Sequence, residues 1–92
     1  MENVMTGVII EKEELAEYEL VPAFVDKTQQ WHKTLPYAVR LGNEFKGKTF
    51  ITVETTKGPR TIVTTVWSVS ENHLSLKGGI TVPLNSIIDI HY

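Results

Sequence analysis

No cysteine occurs among the 92 residues. That absence excludes disulfides, thiolate nucleophiles and cysteine-bound metals. It also removes the covalent staples on which small secreted domains commonly rely. Long apolar runs are missing too, since nothing approaches the roughly 20 residues needed to cross a bilayer. The opening residues, Met1 to Thr6, lack the basic-then-apolar pattern of a secretory signal. No internal repeat, low-complexity segment or linker is visible. Together these absences predict a cytoplasmic protein with no membrane partner. Strong positive charge is lacking as well: residues 21–92 carry eight bases against five acids, a weak excess beside the surfaces that bind nucleic acid.

What is present is ordinary globular usage, with 41% apolar and 22% charged residues. A chain of this length predicts a single domain, residues 1–92. Its apolar pattern divides into a mainly helical or irregular segment, 1–46, and a β-rich segment, 47–92. Charge is divided as well. Residues 1–20 hold six acids (Glu2, Glu11, Glu13, Glu14, Glu17, Glu19) against one base, Lys12. Such an acidic arm either folds back on the mildly basic body or forms a solvated face, and the second reading is the simpler one.

Val8-Ile9-Ile10 reads as a short strand, whereas residues 11–20 fit a helical face and an alternating strand equally well. Pro22 suits the first turn of a helix, and Phe24, Thr28, Trp31 and Leu35 then fall on one helical stripe. Pro36 predicts an interruption or kink. Beyond it a second short helix over residues 37–41 is expected, capped by Thr34 and stopped by Gly42-Asn43. After Gly47, β-branched and aromatic residues alternate with polar ones. Strands are expected over residues 48–56, 60–70, 73–76, 80–82 and 87–92, joined by turns at Lys57-Gly58-Pro59, Glu71-Asn72 and Lys77-Gly78-Gly79. A single helical turn is expected at residues 83–86. The predicted fold class is α+β: an N-terminal helical segment packed on a five-stranded antiparallel, strongly curled sheet or small barrel.

The run from Val66 to Ile90, with its Leu76-Lys77-Gly78-Gly79 hairpin leading through Val82-Pro83-Leu84 into a helical turn and a last strand, resembles the final strands of the Src-homology-3-like and Sm-like small barrels. The resemblance covers roughly residues 48–92. Over its whole length the chain is similar to short uncharacterised bacterial proteins with a Trp-His-x-x-Leu-Pro helix, here Trp31 to Pro36, and the same Leu-Lys-Gly-Gly-x-x-x-Pro end. It implies a fold and no particular activity.

Catalytic constellations are not evident. Ser68, Ser70, Ser75 and Ser86 lie outside any nucleophile-elbow context, and Lys77-Gly78-Gly79 precedes a strand where a phosphate loop opens a helix. Asp89 and His91, two apart on a strand, share a face, but no third metal ligand accompanies them. No enzyme activity, cofactor or metal is therefore predicted. The dense threonines read as a pleated surface. Lys46, Lys48, Lys57, Arg60 and Lys77 form a basic side. Trp31 and Trp67 are expected to pack between helix and sheet; were either exposed, a binding surface would be the better reading. Residues singled out for binding are Trp31, His32, Tyr37, Trp67 and His73. The functional expectation is a non-enzymatic protein-interaction module, docking another protein or a second copy on a strand edge or on the Trp31 helix. The alternatives are weak single-stranded nucleic-acid binding by the basic half and small-molecule binding between helix and sheet.

Overall fold

Alternation of Thr49, Ile51, Val53 and Thr55 with Phe50, Thr52 and Glu54 makes a strand with one core face, and the chain folds it into a hairpin. In the computed structural model, which describes residues 8–92, β2 (Thr49–Thr55) pairs antiparallel with β3 (Gly58–Thr64), in register from Thr49 opposite Thr64 to Thr55 opposite Gly58. The turn is held by Thr55, whose hydroxyl donates to the Gly58 carbonyl (2.7 Å) and accepts from the Lys57 amide (3.0 Å). Gly58 takes φ +100°, which a side chain would oppose.

At Thr65 the chain leaves this sheet. β3 gives way to β4 (Val66–Val69), which with β5 (His73–Leu76) and β6 (Ile80–Pro83) forms an antiparallel three-stranded sheet. A 3-10 turn, Leu84–Ser86, follows, and β7 (Ile87–His91) then returns to pair with β2. On the opposite edge of the first sheet, the two-residue β1 (Val8–Ile9) runs parallel to β3, giving the order β1-β3-β2-β7. The single five-stranded sheet expected from sequence is thus replaced, among the described residues, by seven strands in sheets of four and three. Among the described residues no ladder closes them into a barrel. The expected strand 60–70 is divided because its pairing partner changes at Thr65.

Residues 11–20 resolve into a 3-10 helix, Lys12–Glu17, which buries Leu15. Beyond it, Leu20 bridges to Thr55, and the Val21 amide donates to the Glu54 carbonyl (3.1 Å). Residues 8–20 of the acidic arm therefore do lie back on the body, along the β2–β3 hairpin, and Glu2 lies outside the described residues. They do so through leucines and backbone bonds.

Helix α1 (Thr28–Phe45) is one uninterrupted helix. It begins at Thr28, six residues after Pro22; Lys27 is the N-cap, and one residue before it the Asp26 carboxylate holds the helix start by accepting from the Thr28 amide (2.9 Å) and hydroxyl (2.5 Å). Phe24 lies outside the helix and is fully exposed, at 102%. The buried stripe is accordingly Trp31, Leu35, Ala38 and Gly42, the predicted spacing moved along by one repeat. Pro36 and Thr34 sit within the helix. Pro36 is exposed, so its ring meets solvent and not the core. The stop is Lys46, left-handed at φ 53°, whose amide donates to the Gly42 carbonyl (3.0 Å). Gly42 has another role, because a Cβ there would overlap the Val66 carbonyl oxygen and come within 2.9 Å of Thr65 Cγ2. The missing side chain is what brings α1 against β4.

The helix and both sheets enclose one apolar cluster, in which Leu35, Ile51, Val53, Ile62, Val66, Leu74, Val82, Leu84 and Ile87 are fully buried. No helix among the described residues is long and apolar enough to cross a membrane.

Two threonine pairs face each other across the β2–β3 ladder with opposite consequences. Thr52 and Thr61 hydrogen-bond through their hydroxyls at 2.8 Å. Thr49 and Thr64 are buried beside Ile51 and Ile62, and among the described residues neither hydroxyl finds a partner. Thr49→Val or Thr64→Val is expected to raise stability by about 1 kcal/mol by removing a desolvated hydroxyl, whereas Thr52→Val lowers it by a similar amount. Denaturant midpoints at unchanged slope measure both signs.

Candidate functional site

In β4, Val66 is buried while Trp67 and Ser68 both face out. A register shift accompanies this. Val66 pairs with Leu76 and Ser68 with Ser75, so Trp67 is the extra residue of a β-bulge, with no opposite number on β5. Bulges bend a strand and re-aim a side chain, and the indole is left 50% exposed. The packing role expected for Trp67 is thereby overturned. The end of α1 fixes the bulge in place: Asn43 Nδ2 donates to the Trp67 carbonyl at 3.4 Å.

Around this indole lies a shallow cavity of about 420 Å³, lined by Gly42, Asn43, Lys46, Lys48, Thr65, Trp67 and Lys77. Three lysines and no acid line it. Each lysine is placed by an element end: Lys46 by the helix stop, Lys48 by the start of β2, Lys77 by the β5–β6 turn, where the Lys77 amide donates to Thr65 O at 3.0 Å. The helix C-terminus, with its partial negative charge, favours cations there on structural grounds as well.

The other bases of the predicted basic side go elsewhere. Lys57 and Arg60 lie over the Tyr18 ring, at 5.9 and 5.3 Å from its centroid. The basic side is thus two groups, one occupied by the acidic segment and one standing around Trp67.

Across the β5–β6 turn from this lysine-lined shelf around Trp67 lies a second cavity, of about 500 Å³. Leu15, Ala16, Tyr18, Leu20 and Ile80 give it apolar walls, and Lys12 and Glu13 stand at its rim beside Gly78.

The other residues singled out from sequence are scattered. Trp31 is only 3% exposed; its indole Nε1–H donates to the Ile87 carbonyl at 3.2 Å, and Lys27 lies over its ring. It is a core residue and offers no docking surface. Exposed His32 donates from Nε2 to the Glu71 carbonyl (2.9 Å), joining α1 to the β4–β5 connection. Tyr37 meets Tyr92 edge to face, centroids 5.0 Å apart, and Tyr92 OH donates to Thr34 O at 2.7 Å. Burial, and secondarily Tyr37, raises the Tyr92 pKa above its ordinary value.

His73 lines a broad cleft of about 950 Å³ at the start of α1, together with Asp26, Lys27 and Asn72. Its charged groups already have structural partners: Asp26 accepts from Thr28, and Lys27 Nζ reaches Ile88 O at 3.5 Å. The two bonds from Thr28 hold the Asp26 carboxyl below its usual pKa. A carboxylate held low stabilises the helix start above the ordinary carboxylate pKa, and that contribution disappears as pH falls through the depressed value. Backbone amides from Thr28 onward are expected to lose exchange protection at that step, ahead of global acid unfolding; Asp26→Asn should show weakened protection at neutral pH.

Asp89 and His91 do share a face, and bond to one another (Nε2 to Oδ2, 2.9 Å). Among the described residues no three His, Asp or Glu side chains gather as a metal site would require.

No family model, curated protein or solved structure matches this chain.

Proposed function

We propose that this chain is a non-enzymatic protein-interaction module that grips its partner with Trp67. The observation carrying this reading is a half-exposed indole held on a bulge among three lysines. Tryptophan is the residue most enriched among binding hot spots, and a fixed backbone spares it much of the ordering cost. The lysines steer an acidic surface toward it. Support for a small-barrel relationship comes from the chain path: β3 passes through Thr65 into β4, a 3-10 turn precedes the last strand, and that strand returns to β2. A cysteine-free composition fits a cytoplasmic setting.

The same indole and lysines favour single-stranded nucleic acid as a second reading, with a base stacked on Trp67 and phosphates on the lysines. The glutamate-bearing segment across the adjoining turn opposes a polyanion, so this reading ranks below the first. Photo-crosslinking in the native cell tests both. With Trp67→p-benzoylphenylalanine, one adduct heavier by a protein is expected. Gln29, at the far end of α1, serves as the control position. Nucleic-acid adducts alone would replace the protein reading with the second one, and no adduct would end both.

A further inference from the structure

Trp67 and the apolar cavity flank one turn. Lys77 lines the shelf and Gly78 the cavity, so the β5–β6 turn separates a protruding indole from an open apolar hole. The shelf is lined by three lysines, whereas the hole has the paired Lys12 and Glu13 at its own rim and an excess of glutamates along the 3-10 segment that walls it. The hole lies under the 3-10 segment, where Glu11, Glu13, Glu14 and Glu17 are all exposed. Among the described residues, the one ion pair these glutamates make is Glu13 with its neighbour Lys12, at 2.8 Å. Lys46, Lys48 and Lys77 make none with any described residue. Complementary charges therefore stand on either side of a turn without meeting inside one molecule.

We infer that the partner is a second copy of this chain, each copy placing Trp67 in the other's Leu15–Ala16–Tyr18–Ile80 cavity while Lys46, Lys48 and Lys77 meet the other's glutamates. This rests on the protein-interaction reading above and names its partner. Because knob and hole lie on either side of a single turn, a twofold axis beside that turn satisfies both at once, closing a dimer instead of opening a filament. A Cβ at Gly79 would meet nothing within 4 Å, so no other part of the described chain covers the turn there. The hole's walls already suit an indole: Ile80 and Leu20 are half-buried, and Ala16 is exposed. Lysine stems extend the apolar contact while their ammonium groups reach the glutamates of the 3-10 segment. Each surface ion pair contributes little by itself. The indole supplies most of the affinity, and the charges set orientation and salt dependence.

Sedimentation of the full chain over a micromolar-to-millimolar range is the test. A concentration-dependent dimer that weakens with added salt is expected. Trp67→Ala removes both anchors of the symmetric dimer and should raise its dissociation constant by about 1,000-fold, the equivalent of about 2 kcal/mol for each buried tryptophan. Ala16→Arg, at an exposed wall position, should do the same by filling the hole. A charge exchange removes any doubt about folding. K46E/K48E and E13K/E14K should each be monomeric alone, since like charges then oppose, and should form a heterodimer when mixed. A monomer at every concentration, or a dimer indifferent to Trp67→Ala, overturns the inference. In that case a crosslink from position 67 to a protein of different mass would leave the protein-interaction reading standing, whereas no protein crosslink would remove both. A low-salt shift of a short oligonucleotide that K46E/K48E abolishes, with the protein monomeric, would assign the shelf to nucleic acid.

Discussion

Gly42→Ala is expected to destabilise this protein by about 2–3 kcal/mol, although helix propensity alone predicts a gain of about 1 kcal/mol for alanine over glycine within a helix. The sign reversal comes from β4. An added methyl would overlap the Val66 carbonyl oxygen, which is backbone and cannot rotate away, and would stand 2.9 Å from Thr65 Cγ2. Helix and strand must part, and Asn43 then loses its reach to the Trp67 carbonyl. Thr65→Ser removes the methyl contact but leaves the carbonyl one, so it should restore only a fraction of the loss. Denaturant unfolding of the single and double variants measures both quantities. A neutral or stabilising Gly42→Ala would mean that α1 does not lie against β4 as described.

Trp31→Ala should cost about 3–5 kcal/mol, and Trp31→Phe about 2–3 kcal/mol. Alanine opens a cavity between α1 and the start of β7. Phenylalanine keeps much of the volume but leaves the Ile87 carbonyl without the indole donor at 3.2 Å. The two tryptophans also separate optically. Trp31→Phe leaves only the half-exposed Trp67, so emission should shift red and become readily quenched; Trp67→Phe should leave the blue, protected component. If both variants kept the parent spectrum, the burial assigned to the two indoles would be wrong.

The strand half of the molecule was legible because its signal is local. Thr49 to Thr55 and His73 to Leu76 alternate with period two, and the glycines at 58 and 78 take the positive φ their turns need. The helical half was partly legible. A Trp31–Leu35 stripe was evident, but Pro22 and Pro36 are strong local punctuation and drew the helix too early and cut it too soon. Asp26 and the exposed face of Pro36 decide those ends. The candidate site was the least legible part. Trp67 sits among Val66 and Val69 in a run that reads as buried strand, and nothing in the local pattern marks the bulge. Lys46, Lys48 and Lys77 were visible as basic residues, but their separation from Lys57 and Arg60 depends on where Tyr18 lies.

The amino-acid sequence by itself determined an α+β protein without disulfides, a β-rich second half with turns at residues 57–59 and 77–79, and an acidic segment ahead of a mildly basic body. These follow from side-chain period, backbone preference and charge count, all properties of neighbouring residues. Tertiary structure alone decided that the strands divide into two sheets at Thr65, that Gly42 serves close packing, and that of two similar tryptophans one is core and the other surface. Those outcomes depend on which backbone lies opposite which, a relation between residues far apart in the chain that no local window contains.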